Sequence, residues 1–187
     1  MAINTMLANN FLIAMPSQRN PIYEKSVIYI CEHQPQGTVG LIINHPMQFP
    51  LGLVFDQLHI EPIRIECNRQ PLLFGGPVQP ERGFVIHRPL GGWRSSLVLR
   101  DDVTVTTSND IIRAIAEDTG PNDALVALGY VGWAANQLDQ EIIDGAWLVC
   151  PYKAEILYNV PFEERWKYAG LTMGVNMNQL ISGAGHA

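Results

Sequence analysis

The sequence predicts an α+β fold: a hairpin-rich, barrel-like antiparallel or mixed β-sheet with flanking helices. Three observations carry this. Short apolar, β-branched runs bounded by Pro, Gly and Asn fill the first hundred residues. Several connections between them are too short for parallel crossovers. Helical spacing and capping signals become frequent only after residue 107. At 187 residues the chain has the size of one domain, and no linker or repeat divides 1–187.

The elements follow in order. Phe11–Met15 and Ser26–His33 read as strands that are apolar on both faces and therefore central. Gln34-Pro35-Gln36-Gly37 joins the second to a strand over 38–44, an antiparallel hairpin. Leu51, Val54, Phe55 and Leu58 have the i, i+3, i+4, i+7 spacing of a short helix. Residues 59–71, with Pro62 and four charged side chains, read as a surface connection.

Beyond it, Pro71–Phe74, a Gly75-Gly76-Pro77 turn, a strand at Gly83–His87, and a hairpin of Leu97–Leu99 with Val103–Thr107 form a meander. A helix over 109–119 follows, with Ser108 as N-cap and Gly120-Pro121 as stop. Leu125–Val131 is a buried strand, Asn136 caps a helix running to Asp144, and Ala146–Cys150 is a last strand. Pro161 opens a final helix with Glu163 and Glu164 in its first turn and Phe162 and Trp166 on its core face.

Composition bounds the function. Apolar residues make up 47% and charged residues 16%, so the chain is rich in interior and leaves room for a homo-oligomer. The net charge of −6 opposes non-specific attraction to phosphates. The charge is uneven: residues 1–100 carry 8 basic and 6 acidic side chains, and the remainder 4 and 12. Cys31, Cys67 and Cys150 are far apart and odd in number, the pattern of reduced, buried thiols rather than disulfides or a zinc knuckle. The N-terminus has no secretory signature and no apolar run reaches transmembrane length, so we expect a cytoplasmic protein.

The chain resembles the YqgE/AlgH family. The strings that carry the likeness are Phe11-Leu12-Ile13-Ala14-Met15-Pro16, Ile28–His33, Gly40–Asn44, Gly75-Gly76-Pro77-Val78 and Arg82–His87. Thr106-Thr107-Ser108, Ala127–Trp133, Gln137-Leu138 with Glu141, Ala146-Trp147-Leu148 and the closing Gly185-His186-Ala187 continue it across nearly the whole chain. Asn136 departs from a pattern that usually has Gly before Gln-Leu. The resemblance implies a small bacterial cytosolic protein with a barrel-like sheet and the transcriptional-regulator label that some members bear. It supplies no agreed catalytic residues and implies no cofactor.

The residues themselves point away from an enzyme of a familiar class: P-loop, dinucleotide, nucleophile-elbow and zincin motifs are missing. Cys31 and His33, two apart on a strand, share a face, but two ligands do not make a metal site. Arg82, Arg88, Arg94 and Arg100 with His87 form an acid-free stretch beside Gly75-Gly76 and Gly91-Gly92. Gly75, Gly76, Arg82, His87, Arg88 and Arg94 are thus the candidate ligand site, suited to a small anion because glycine backbone and arginine forks both donate to oxyanions. Asn44, Thr107, Ser108, Trp133, Gln137, Glu141 and His186 have simpler structural readings, with Gln137 and Glu141 as solvated helix side chains. Direct DNA reading is disfavoured, because a strand separates the two middle helices. A non-catalytic binding or regulatory module, engaging a protein partner or a small anionic ligand, ranks first. An enzyme or receptor acting on a small anion is the alternative.

Overall fold

The computed structural model describes residues 7–89 and 91–183. The α+β expectation holds, with a mixed sheet. The described residues divide into two compact units, one formed by 7–45 with 130–183 and the other lying within Pro46–Gly129.

In the first unit β1 (Phe11–Ala14), β2 (Val27–Gln34), β3 (Gly37–Ile42) and β10 (Trp147–Cys150) are joined by the second half of β9 (Ala124–Ala134). The order is β10-β1-β2-β3-β9, every pairing antiparallel. Phe11, Leu12, Ile13, Val27, Ile28, Tyr29 and Ile30 are wholly buried, which explains why these strands lack alternation. Each such side chain is worth about 1.5–3 kcal/mol relative to an exposed one.

The helices of this unit are α3 (Gln137–Ile143), α4 (Ala154–Tyr158), α5 (Phe162–Thr172) and α6 (Met177–Gly183). α4 and α6 are additions to the sequence reading. α5 buries Trp166 as expected, but Phe162 is only half-buried, and Arg165, Ala169 and Gly170 complete the inward face. Trp166 Nε1 donates to the Ala14 carbonyl at 2.9 Å, and the Arg165 guanidinium donates to Ile43 O at 2.5 Å and Val160 O at 2.8 Å. A cation was tolerated there because its donors meet carbonyls. Asn136 is not a side-chain cap: its φ of 63° is left-handed and its side chain makes no cap bond. That conformation is one glycine adopts freely and asparagine tolerates.

In the second unit β4 (Pro46–Pro50) pairs antiparallel with β5 (Pro71–Phe74), and β5 runs parallel to the first half of β9. β6 (Val78–His87) lies between β9 and β8 (Val103–Thr106), and β7 (Ser96–Arg100) closes that edge. β4 escaped the sequence reading because Pro46 and Pro50 bound it, and β6 begins five residues early, through Pro80 and a left-handed Gln79 (φ 47°). α1 (Gly52–Gln57) and α2 (Asn109–Ala116) cover this sheet. Leu51, Phe55, Leu72, Val85, Ile111, Ile112 and Val126 form its core. α2 stops before Gly120 because Asp118 already turns left-handed at φ 58°. Residues 59–71 are not bare loop: a 3₁₀ turn at Ile65–Arg69 buries Cys67.

Candidate functional site

Strand alternation decides which side chains of β6 can act together. Arg82 lies with its guanidinium 5.2 Å from the Phe84 ring, so Arg82 and Phe84 share one face. Glu81, Gly83, Val85 and His87 therefore occupy the other. That second face meets a cleft of about 340 Å³ contained in the second unit. Its apolar wall comprises Leu72, Val85, Ile112, Val126 and Leu128, with Leu53, Val54 and Leu58 of the α1 segment opposite. Gln57, Glu81, Thr107, Ser108 and Asn109 supply the polar lining; Thr106 also borders it but is 0% exposed.

The cleft opens where β8 ends. The β6–β8 register covers Val85↔Thr106 to His87↔Thr104, and at Ser108 the chain leaves for α2. Gly83 widens the gap, since a Cβ there would have no atom within 4 Å. Ser108 stands at the N-cap position without making the cap bond. Its Oγ donates instead to Asp110 Oδ1 at 2.5 Å and accepts the Ser95 N–H at 3.1 Å. Although desolvation pushes the Asp110 carboxyl up, the Ser108 hydroxyl and the N–H groups of Arg94, Ile111 and Asp110 hold it below its ordinary value.

At the inner end His87 is buried, and its ring stands edge-on to Trp93 with centroids 5.0 Å apart. Nδ1 lies 2.9 Å from the Arg88 carbonyl, which can only accept, so Nδ1 carries the proton. Burial lowers the pKa of His87 and keeps the ring neutral, leaving Nε2 to accept from Thr106 Oγ1 at 2.8 Å. Ser96 Oγ lies 2.7 Å from Thr106 Oγ1 and 3.3 Å from the Trp93 carbonyl.

The structure brings few of the sequence-derived site residues together. His87 lies beside the cleft without lining it, and Arg88 is ion-paired to Asp123 at 2.8 Å. Arg82 is on the face turned away from the cleft, and up to about 20 Å along the chain from Arg88. Arg94 contributes its backbone N–H to Asp110 at 2.9 Å. Gly75 and Gly129 serve a close crossing of two backbones: a Cβ on Gly75 would strike the Gly129 carbonyl, and one on Gly129 the Gly76 carbonyl. The cleft itself was invisible in the sequence, except that Thr107 and Ser108 fell at an element junction. Cys31 and His33 do not cooperate, because a bulge between Ile30 and Glu32 breaks the strand's alternation. Burial, with Glu32 adding, pushes the Cys31 thiol up to about 12. Among the described residues no group of three His, Cys, Asp or Glu could hold a metal, and no helix is long and apolar enough to cross a membrane.

One residue in the first unit changes role. Glu141, expected to be solvated, accepts from the indoles of Trp133 at 3.0 Å and Trp147 at 2.8 Å through Oε2, and from Gln137 Nε2 at 3.0 Å through Oε1. It ties α3 to two strands. Asn44 is likewise structural, accepting from Val27 N and donating to Lys25 O, both at 2.8 Å. His186 lies outside the described residues.

Known proteins match this chain from end to end. A UPF0301 protein of Legionella pneumophila (strain Corby) is 70% identical over the whole of both chains. A UPF0301 protein of Chromobacterium violaceum is 45% identical over 97% of each. The solution structure of the AlgH protein from Pseudomonas aeruginosa superposes with a TM-score of 0.80 at 42% identity, covering 97% of this chain and 96% of that one. The crystal structure of DIP2367 from Corynebacterium diphtheriae shares the fold, with a TM-score of 0.65 at 20% identity over 90% of this chain and 92% of that one. The family described as DUF179, AlgH-like, matches residues 11–178, and the chain belongs to it.

Proposed function

We propose that the protein is a non-catalytic binding module whose ligand is a small, largely apolar molecule held in the cleft of residues Pro46–Gly129. The observation that carries this reading is the cleft itself. About 340 Å³ falls within the size range of small-molecule sites, and its aliphatic wall with a short polar rim is the composition such sites have. A binding role is favoured over catalysis by the placing of the one hydroxyl–imidazole pair at this site. Thr106 is 0% exposed, so its hydroxyl has no path to a substrate carbonyl. The arginines take no part in this reading: none lines the cleft.

Gly83→Leu tests it. The added side chain enters open space, and Gly83 has no left-handed φ, so the fold survives while the cleft fills. An amide-resolved NMR titration with small hydrophobic fragments should move the signals of Val85, Ser108, Ile112 and Val126 in the parent and leave them still in Gly83→Leu. Fragments that shift other regions equally in both proteins, or shift nothing, would remove the reading.

A further inference from the structure

The lining of the cleft carries a single charge, and that charge is negative. Ser108 gives its hydroxyl proton to the Asp110 carboxylate, which can only accept, and retains an acceptor lone pair. Thr106 gives its proton to His87. At the start of α2 the Ile111 N–H is taken up by the Asp110 carboxylate at 3.0 Å, which also accepts from Arg94 N at 2.9 Å. Glu81 is the one ionisable side chain in the lining, and neither Lys nor Arg joins it. It sits on the cleft face two residues before Gly83, the position with open space above it. Arg82, the nearest cation in sequence, projects from the other face toward Phe84.

We propose that the cleft selects a hydrophobic amine, with its apolar body against Leu72, Val85 and Ile112 and its ammonium group donating to the Glu81 carboxylate and the Ser108 hydroxyl oxygen. This rests on the cleft being a small-molecule site and adds the charge class of the ligand. The chemistry is complementary in two independent ways. An ammonium brings positive charge to the lining's single carboxylate, and its three donors find acceptors at that carboxylate and at the Ser108 hydroxyl oxygen. A carboxylate or phosphate would face Glu81 unscreened by any cation of the lining. The preference is modest in size, because Glu81 is exposed and exposed ion pairs are weak and screened by salt.

The test compares hexylamine, hexanol and hexanoate, which share a body and differ in head group, by amide-resolved NMR titration of the full chain near neutral pH, where the amine is protonated. We expect hexylamine to bind tightest and hexanoate weakest, with the gap narrowing in high salt. Glu81→Gln should lower hexylamine affinity about twofold to fivefold, toward that of hexanol, as loss of an exposed ion pair predicts. Because the whole protein carries −6, an amine could be drawn to it without a site. Glu117→Gln removes the same unit of charge from an exposed position outside the cleft and should leave the ranking unchanged. Gly83→Leu should abolish binding of all three.

The outcomes separate. Tighter binding of hexanoate or hexanol than hexylamine overturns the amine proposal and leaves the cleft as a binding site. Equal losses of hexylamine affinity in Glu81→Gln and Glu117→Gln, or hexylamine shifts that persist in Gly83→Leu, overturn it as diffuse attraction to an acidic surface. Silence from all three compounds removes the cleft reading along with it.

Discussion

His87 Nε2 accepts a hydrogen bond from Thr106 Oγ1 at 2.8 Å: the Arg88 carbonyl holds the ring proton on Nδ1, and that sets the direction of the Thr106 hydroxyl. The arrangement exists only while the ring is neutral. Protonated, Nε2 would become a donor and Thr106 could no longer donate to it.

The consequence is a pH dependence of stability. Burial lowers the folded-state pKa of His87 below its ordinary 6.5, so on acidification the unfolded chain takes up the proton first. Stability is then flat above about pH 6.5 and falls as pH drops below it, because there the unfolded state binds more protons. Urea midpoints taken from about pH 7.5 down to about pH 5 should decline in the parent and decline less in His87→Gln. Some slope will survive in the variant, since desolvation also lowers the pKa of His45. An unchanged slope in His87→Gln would contradict the neutral, buried assignment.

Glycines 129 and 83 make a matched pair of opposite expectations. Gly129 has φ +74° and its hydrogen faces the Gly76 carbonyl, so Gly129→Ala introduces both strain and collision. A loss of at least about 1–3 kcal/mol is expected, read as a lowered melting temperature. Gly83→Ala should cost under about 1 kcal/mol or stabilise slightly, because a β-strand residue with a side chain loses less entropy on folding than glycine.

Glu141 should matter more than its place on a helix suggests. Glu141→Leu leaves the indole N–H groups of Trp133 and Trp147 without their acceptor, at about 1–3 kcal/mol for each buried donor left unmade. Glu141→Gln keeps one carbonyl oxygen and should lose less. Denaturation followed by tryptophan fluorescence ranks the two, and the native emission of the leucine variant should also change.

Arg165 is 2% exposed and bonded to two backbone carbonyls, with Phe162 4.5 Å beneath its guanidinium. Burial lowers its pKa to about 10, which leaves it charged at neutral pH. Arg165→Met should destabilise by about 2–4 kcal/mol, because the Ile43 and Val160 carbonyls lose their donors. Arg165→Lys should rescue little, since a single ammonium cannot reproduce the planar fork that spans both. Chemical denaturation of the two variants would show this as nearly equal losses.

Much of the architecture is local information and was legible in the chain. The apolar runs at Phe11–Ala14 and Val27–Ile30, the turn at Gly37 and the helical spacing at Ile111, Ile112 and Ile115 each state their own conformation through a period of two or 3.6. Where proline interrupted a strand, at Pro46, Pro50 and Pro80, the local signal misled, because pairing partners distant in sequence stabilise those segments.

The site was not legible, for a different reason. A run of arginines is conspicuous in a string of letters, yet β6 alternates, so it turns Arg82 away from the face that carries Glu81, Gly83 and Val85. Whether Glu141 is solvated or clasped by two tryptophans depends on where Trp133 and Trp147 come to lie, eight residues before it and six after. By itself the sequence determined the fold class, the family and most of the elements, since hydrophobic periodicity is written residue by residue. Only tertiary structure decided which faces meet, and with them the cleft, the buried charge of Arg165 and the single carboxylate of the polar rim, because hydrogen-bond direction and burial belong to neighbours in space.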